Sequence, residues 1–316
     1  MTTYNNKLES EVRFYSRLFP DIFTKGKGAY LYSDSGEKYL DFFCGSGSLN
    51  YGHNEPVMKE KVIEYITNNG VLNSLDQLTR AKVDFMNDFN NNILIPRNME
   101  YKMQFCGPTG TNSVEAALKL ARKYTQREKI LFFKDSFHGM TYGAMSVSGI
   151  KSSNISNDYT KNVTGIPYED VDPNFDTLKE LLKNATKEEI PAAIILETIQ
   201  AEGGMKTASK EWLEQLQLLA KEHAILLIID DIQAGCGRTG SFFSFEHTNI
   251  SPDIICLSKS LSGIGVPFSM NLIKPAIDCW KPGEHNGTFR GNNLAFIAGG
   301  EATKYWKTSA FGDTIT

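Results

Sequence analysis

Two charged residues, each at the end of an apolar run, have side chains that could act together. Lys259 follows the run DIICLS, and Asp230 ends the run AILLIID. A lysine amine can condense with an aldehyde, and a carboxylate can hold a pyridine nitrogen protonated. This pair therefore indicates pyridoxal phosphate (PLP) chemistry. The alternatives are a lysine that reaches solvent and an aspartate that caps a turn.

A glycine-rich loop, GPTGTN at residues 107–112, precedes the helical pattern SVEAALKLARKYT. A helix N-terminus offers free N–H groups, glycine lets an anion approach the backbone, and Thr109 and Thr111 add hydroxyl groups. The loop therefore predicts a phosphate site. The alternative is a Gly-Pro turn in which Thr111 or Asn112 caps the helix.

Two further residues stand at the end of the run KILFFK, namely Phe137 and His138. An aromatic ring in that position can stack on a flat cofactor. The alternative places Phe137 in the core and makes His138 an incidental polar neighbour.

Residues two apart on a strand point to the same side, so Asp230 and Ile232 can address one ligand. The Asp230 carboxylate would contact the edge of the ligand, and the Ile232 side chain would contact its face. Gln233 could donate a hydrogen bond to a phenolate oxygen. We expect Asp231 to point away, as a cap or in a surface ion pair.

The elements that would position these residues alternate between strand and helix patterns. Continuous apolar runs predict strands buried on both faces, and alternation with helices predicts an α/β fold with a mostly parallel central sheet flanked by helices. The carboxyl ends of such strands are where ligands bind. We also expect a helix over residues 1–20 and a hairpin in AYLYSDSGEKYLDFF. The runs that predict strands are YKMQFC, KILFFK, AAIILET, AILLIID, DIICLS and FSMNLI, and those that predict helices are PVMKEKVIEYITN, LTRAKVDFMNDF, SVEAALKLARKYT and EWLEQLQLLAKEH.

The 316 residues carry a net charge of −4, which gives no general attraction to nucleic acid or anionic lipid. No apolar run suits a bilayer span, and no secretory signal is visible. The five cysteines form no C-x-x-C pair, so we expect packed thiols in a reducing cytoplasm and no metal site.

Taken in order, these motifs resemble those of the class III (ω-amino-acid) aminotransferases of PLP fold type I. Within that family they are most similar to the L-2,4-diaminobutyrate:2-oxoglutarate aminotransferases of the ectoine-biosynthesis type. The stretches that carry the likeness are ESEVRFYSRLFP, FCGSGSLNYGHN, GPTGTNSVEAALKLAR, FHGMTYGAMSVSG, IIDDIQAGCGRTGSFFSFEH, SKSLSGIGVPF and KPGEHNGTFRGNNLAF.

The resemblance implies that Lys259 binds PLP covalently and moves the substrate proton, while Asp230 pairs with the ring nitrogen. It implies that Phe137 and Ile232 flank the ring. The other implied ligands of the cofactor site are Gln233 at the 3′ oxygen, Gly110 and Thr111 at the phosphate, and His138.

Two further roles follow from the resemblance. Thr288 would reach the phosphate of a neighbouring subunit, which implies a homodimer or a dimer of dimers with shared active sites. Glu202 would belong to the substrate site, as an acid that pairs with a carboxylate-binding arginine.

The resemblance also implies a domain plan. Residues 1–55 would start the small domain, residues 56–298 would form the PLP-binding domain, and residues 299–316 would begin the linker helix. The family's C-terminal small domain and its arginine have no counterpart before Thr316, so we expect a fragment or a product that lacks part of the substrate site.

The implied reaction is ping-pong transamination of diaminobutyrate with 2-oxoglutarate, giving aspartate 4-semialdehyde and glutamate. Other amine donors remain open, namely ornithine, acetylornithine and 4-aminobutyrate. A truncated, non-catalytic PLP-binding homologue is the remaining alternative.

Overall fold

The computed structural model describes residues 8–150, 161–183 and 185–315. Its strands are β1 Phe23–Lys27, β2 Tyr30–Ser33, β3 Lys38–Leu40, β4 Lys102–Phe105, β5 Ile130–Phe133, β6 Val163–Ile166, β7 Ala193–Leu196, β8 Ile199–Gln200, β9 Lys206–Thr207, β10 Leu226–Asp230, β11 Ile254–Leu257 and β12 Met270–Ile273. The α-helices are α1 Tyr15–Leu18, α2 Cys44–Gly47, α3 Pro56–Thr67, α4 Arg80–Phe89, α5 Gly110–Thr125, α6 Tyr142–Ser146, α7 Asp176–Lys183, α8 Lys210–Glu222, α9 Asn293–Lys304 and α10 Ala310–Asp313.

Seven strands form the central sheet in the order β4-β12-β11-β10-β7-β5-β6. The pairs β5–β6, β5–β7, β7–β10 and β10–β11 are parallel, and β12 runs antiparallel to both of its neighbours. The mostly parallel sheet expected from the sequence is therefore confirmed. All six predicted strands lie in this sheet, and its edge strand β6 was not predicted.

Helices cover both faces of the sheet, which explains why its strands are continuous apolar runs. Along β5, Leu131 and Phe133 pack in one core with Trp212 of α8, whereas Ile130 and Phe132 pack in a second core with Val114 of α5. Each face thus buries alternate residues of the same strand. Every predicted helix after residue 55 is present.

The N-terminal region differs from the expectation in part. The hairpin is confirmed as β2 and β3, which pair antiparallel, and β1 extends it to three strands. The helix expected over residues 1–20 is wrong for the described residues, because only α1 forms there and Val12 is 86% exposed. Of its predicted apolar face, Val12 and Leu18 remain exposed, whereas the Tyr15 ring packs against that of Phe43 with centroids 4.6 Å apart. Residues 1–7 lie outside the described part of the chain.

Candidate active site

A cavity of about 170 Å³ lies at the carboxyl ends of the parallel strands. Nine of the ten predicted site residues line it, together with Gly139 and Glu197. These nine are Gly110, Thr111, Phe137, His138, Glu202, Asp230, Ile232, Gln233 and Lys259. The tenth, Thr288, is exposed in the loop before α9 and does not line the cavity.

Larger grooves lie elsewhere, and their linings do not resemble a catalytic centre. One of about 700 Å³ surrounds Tyr101 and Pro252, at the end of the sheet where β4 and β11 begin. Another of about 570 Å³ lies among α3, α4 and α9. The smaller cavity is the one at the strand ends where α/β folds bind ligands.

The strand register brings the acidic groups of the cavity together. Ile229 of β10 pairs with Leu196 of β7, so that the next residues, Asp230 and Glu197, end neighbouring strands. On the other side Asp230 pairs with Cys256 of β11, three residues before Lys259. Three strand ends therefore supply one amine and two carboxyl groups to the same space.

Lys259 begins a short 3₁₀ turn that is separated from the end of β11 by Ser258 alone, and its backbone is left-handed with φ of 49°. Such a backbone costs a non-glycine residue about 1–2 kcal/mol. The adjacent Ser260 stabilises the turn, because its hydroxyl donates to the Gly47 carbonyl at 3.0 Å and accepts from the Asn50 N–H at 3.1 Å. Burial lowers the pKa of Lys259, although the charge of Asp230 opposes this. A larger neutral fraction makes the amine a better nucleophile.

Asp230 is only 4% exposed and is paired with His138, which is 2% exposed. Asp230 Oδ2 lies 2.7 Å from His138 Nδ1, and Asp230 Oδ1 accepts from the Ile232 N–H at 3.1 Å. Burial disfavours the charged imidazole, but the hydrogen bond and the charge of Asp230 outweigh burial and raise the pKa of His138. His138 is therefore a partner of the predicted acid and not an incidental neighbour.

The start of α5 forms another wall of the cavity. Thr109 is the N-cap, in a capping box with Asn112, so the cap is neither Thr111 nor Asn112, the two residues named in the alternative to a phosphate site. The Thr109 hydroxyl donates a hydrogen bond to Asn112 Oδ1 at 2.8 Å, so it is not free to donate to a ligand. The Thr111 hydroxyl lies 2.6 Å from that of Thr141. At Gly110 a Cβ would stand 2.9 Å from Ile232, so a side chain there would crowd the cavity wall.

Asp231 differs from the expectation of a cap or surface ion pair in one respect. It does accept a hydrogen bond, from the Ser244 N–H at 3.2 Å, but it is fully buried and not at the surface. Burial raises the pKa of Asp231 to about 7. No signal in the DDIQ motif distinguishes a buried second aspartate from an exposed one.

Glu197 is a cavity residue that we did not predict. It is 5% exposed, its Oε2 accepts from the Phe137 N–H at 3.0 Å, and burial raises its pKa to about 7. The signal was available, because Glu197 follows the apolar strand β7 as Asp230 follows its own apolar run.

Comparisons with known proteins agree with this geometry. The family model for class III aminotransferases matches residues 15–316. A diaminobutyrate–2-oxoglutarate transaminase of Sporosarcina pasteurii is 51% identical over 97% of this chain and 73% of its own length. An enzyme of the same name from Halalkalibacterium halodurans is 51% identical over 98% of this chain and 74% of its own.

A solved structure shows the same fold. The ornithine aminotransferase of Toxoplasma gondii, described with PLP partially occupying its active site, superposes with a TM-score of 0.80 at 29% identity. The superposition covers 97% of this chain and 74% of the other. Among the residues described here, no helix has both the length and the apolar content that crossing a bilayer requires.

Proposed function

This chain belongs to the class III aminotransferases, and we propose that it transfers the 4-amino group of L-2,4-diaminobutyrate to 2-oxoglutarate. The products are L-aspartate 4-semialdehyde and L-glutamate, formed in two half-reactions at one site. The observation that carries the donor assignment is the 51% identity, over 97% of this chain, to a transaminase named for these substrates.

The enzyme depends on PLP, as its family does. The described residues fit that cofactor. Two buried polar atoms at the cavity, His138 Nε2 and Gln233 Oε1, have no hydrogen-bond partner in the described part of the chain, and such atoms require one. Glycine at position 110 keeps the helix N-terminus open to a phosphate.

We assign the cofactor contacts as follows. Asp230 pairs with the ring nitrogen, Gln233 contacts the 3′ oxygen, and Phe137 and Ile232 flank the ring. The phosphate binds at Gly110 and Thr111. What supports this assignment is that all six residues line one cavity.

When bound, PLP supplies the aldehyde that takes up the amino group and the ring that accepts the electron pair of the broken C–H bond. Lys259 would hold the aldehyde carbon of PLP in the resting enzyme. Its Nζ would remove the proton from C4 of diaminobutyrate and deliver it to the aldehyde carbon of the cofactor in the same half-reaction, and would move a proton in the opposite direction when 2-oxoglutarate takes up the amino group. The lowered pKa of Lys259 suits this base, because a neutral amine is needed to accept a proton.

Asp230 and His138 act as one unit in this proposal. The Asp230 carboxylate favours a protonated ring nitrogen, which strengthens the ring as an electron acceptor. His138 orients the Asp230 carboxylate, because its Nδ1–H donates to the carboxylate at 2.7 Å.

The substrate side is assigned to Glu202, which is exposed at the cavity and whose charge acts on Lys259. We further propose a dimer in which Thr288 of one subunit contacts the phosphate in the other. The exposed position of Thr288, away from its own cavity, supports this arrangement.

A panel of amine donors tests the proposed function. The PLP-loaded protein is incubated with 2-oxoglutarate and either diaminobutyrate, ornithine, acetylornithine or 4-aminobutyrate, and glutamate is measured. We expect the highest kcat/KM with diaminobutyrate. A higher value with another donor would reassign the substrate, and no glutamate with any donor would contradict the proposal.

A further inference from the structure

We propose that Glu197 is a positioning residue that fixes the turn at Phe137 and His138 beside the cavity. Its negative charge also favours the protonated form of the Lys259 nitrogen. This inference rests on the cofactor site assigned above. It adds a residue that neither the motifs nor the comparisons single out.

The first support is the contact with the turn. Glu197 Oε2 accepts from the Phe137 N–H at 3.0 Å, and the next N–H, that of His138, donates to Ser148 Oγ at 2.9 Å. Consecutive backbone groups of the turn are therefore both anchored by side chains. Because Phe137 and His138 line the cavity, a shift of this turn moves two of its walls.

The same pair of loops is joined at a second point farther from the cavity. Gln200 Nε2 donates to the Lys134 carbonyl at 2.9 Å, between the segment after β7 and the segment after β5. Neither Gln200 nor Lys134 lines the cavity. Gln200 thus offers a matched control, because it links the same two loops without reaching the site.

The second support is the charge that faces Glu197. The titratable groups around it are His138, Asp230 and Lys259, and the Tyr168 hydroxyl donates to its backbone carbonyl at 3.0 Å. Burial raises the pKa of Glu197 to about 7. The side chain is therefore neutral in mildly acidic solution and negative in mildly basic solution.

The sign of the effect on Lys259 follows from Coulomb attraction. A negative Glu197 favours the protonated Lys259 nitrogen and raises the pKa of that nitrogen, as Asp230 and Glu202 do. The effect exists only where Glu197 is ionised. A variant without this charge should differ from the wild type in basic solution and agree with it in acidic solution.

Two substitutions separate the hydrogen bond from the charge. In Glu197→Gln the amide oxygen still accepts from the Phe137 N–H, but the side chain cannot ionise. In Glu197→Ala both are lost. The readouts are the Kd of PLP and the pH at which the visible absorbance of bound PLP changes as the Lys259 nitrogen loses its proton.

We expect Glu197→Ala to weaken PLP binding about 10-fold, and Glu197→Gln and Gln200→Ala to stay within about threefold of the wild type. We expect the absorbance transition of Glu197→Gln to occur at a lower pH than in the wild type. The two spectra should differ most between the two transition pH values, and below about pH 6 they should coincide.

An unchanged or higher transition pH in Glu197→Gln would overturn the inference. So would PLP binding in Glu197→Ala that equals the wild type. If Glu197→Ala does not fold, Glu197→Gln decides alone. Lys259→Ala tests the proposed cofactor site independently of Glu197. If this variant kept the wild-type absorbance of bound PLP, the site itself would be rejected, and not only the role of Glu197.

Discussion

His138 Nδ1 lies 2.7 Å from Asp230 Oδ2, although 92 positions separate the two residues in the chain. The contact joins the loop after β5 to the end of β10, two strands separated in the sheet by β7. It makes the acid and the histidine one buried ionic group. The stability and the cofactor affinity of the protein should both depend on that group.

Replacing His138 with Leu should destabilise the fold by roughly 2 kcal/mol, because a hydrogen bond to a buried carboxylate is lost. The raised pKa of His138 sets the pH dependence. The contribution of His138 is fully present below its unfolded pKa and is lost as pH rises through the higher folded pKa. Urea unfolding at several pH values should show the difference from wild type shrinking as pH rises from about 6.5. The exposed His247→Leu is the control, and an equal loss in both variants would argue against the pairing.

Replacing Asp231 with Asn should stabilise the protein in basic solution. Burial raises the pKa of Asp231 to about 7, so ionisation costs more in the folded than in the unfolded chain. The free energy of unfolding of the wild type should therefore fall as the pH rises from the unfolded-state pKa of Asp231 to about pH 7. The free energy of unfolding of the variant should fall less over the same range. The variant's gain in unfolding free energy should grow by about 2 kcal/mol between pH 5 and pH 8. A gain that does not change with pH would contradict the assigned pKa.

Replacing Gly110 with Ala should weaken PLP binding by about 10-fold or more, because the new Cβ would stand 2.9 Å from Ile232 at the phosphate end of the cavity. Gly300→Ala in α9 is the control, since its Cβ would lie 3.4 Å from Asp88 of α4, and Gly300 does not line the cavity. Equilibrium titration with PLP measures both. Equal affinities for Gly110→Ala and the wild type would remove Gly110 from the phosphate site.

Sites shared between subunits can be tested by mixing two inactive or weakened variants. Thr288→Ala lacks the proposed phosphate contact, and Lys259→Ala lacks the amine. A mixed dimer would combine Lys259 of one subunit with Thr288 of the other in a single intact site. At limiting PLP, the activity of the refolded mixture should exceed the sum of the separate activities. Simple addition would argue that Thr288 acts within its own subunit or not at all.

The sequence was sufficient for six of the seven strands of the central sheet and for most of the cavity. Strands such as β5 and β10 are short apolar runs buried on both faces, a pattern with no competing interpretation once helices alternate with them. Lys259 and Asp230 could be predicted because each follows such a run. The positions of Gly110 and Thr111 followed from the helix start.

What could not be predicted depended on contacts between distant segments. Glu197 could have been noticed because it follows an apolar strand, but its position beside Asp230 depends on the register between β7 and β10, which a single sequence does not show. The burial of Asp231 depends on Ser244, and the cap at Thr109 on the side chain of Asn112. The short edge strand β6, whose sequence VTGI contains a glycine, gave too weak a pattern.

Glutamate formed from diaminobutyrate and 2-oxoglutarate is the most direct measurement of the central claim that Lys259 makes this chain a transaminase. The PLP-loaded wild type, Lys259→Ala and Lys134→Ala are compared; Lys134 is an exposed lysine directly after β5 and serves as the control. We expect equal rates for the wild type and Lys134→Ala, and a loss of about 10³-fold or more in Lys259→Ala. Comparable glutamate formation in Lys259→Ala would contradict the account.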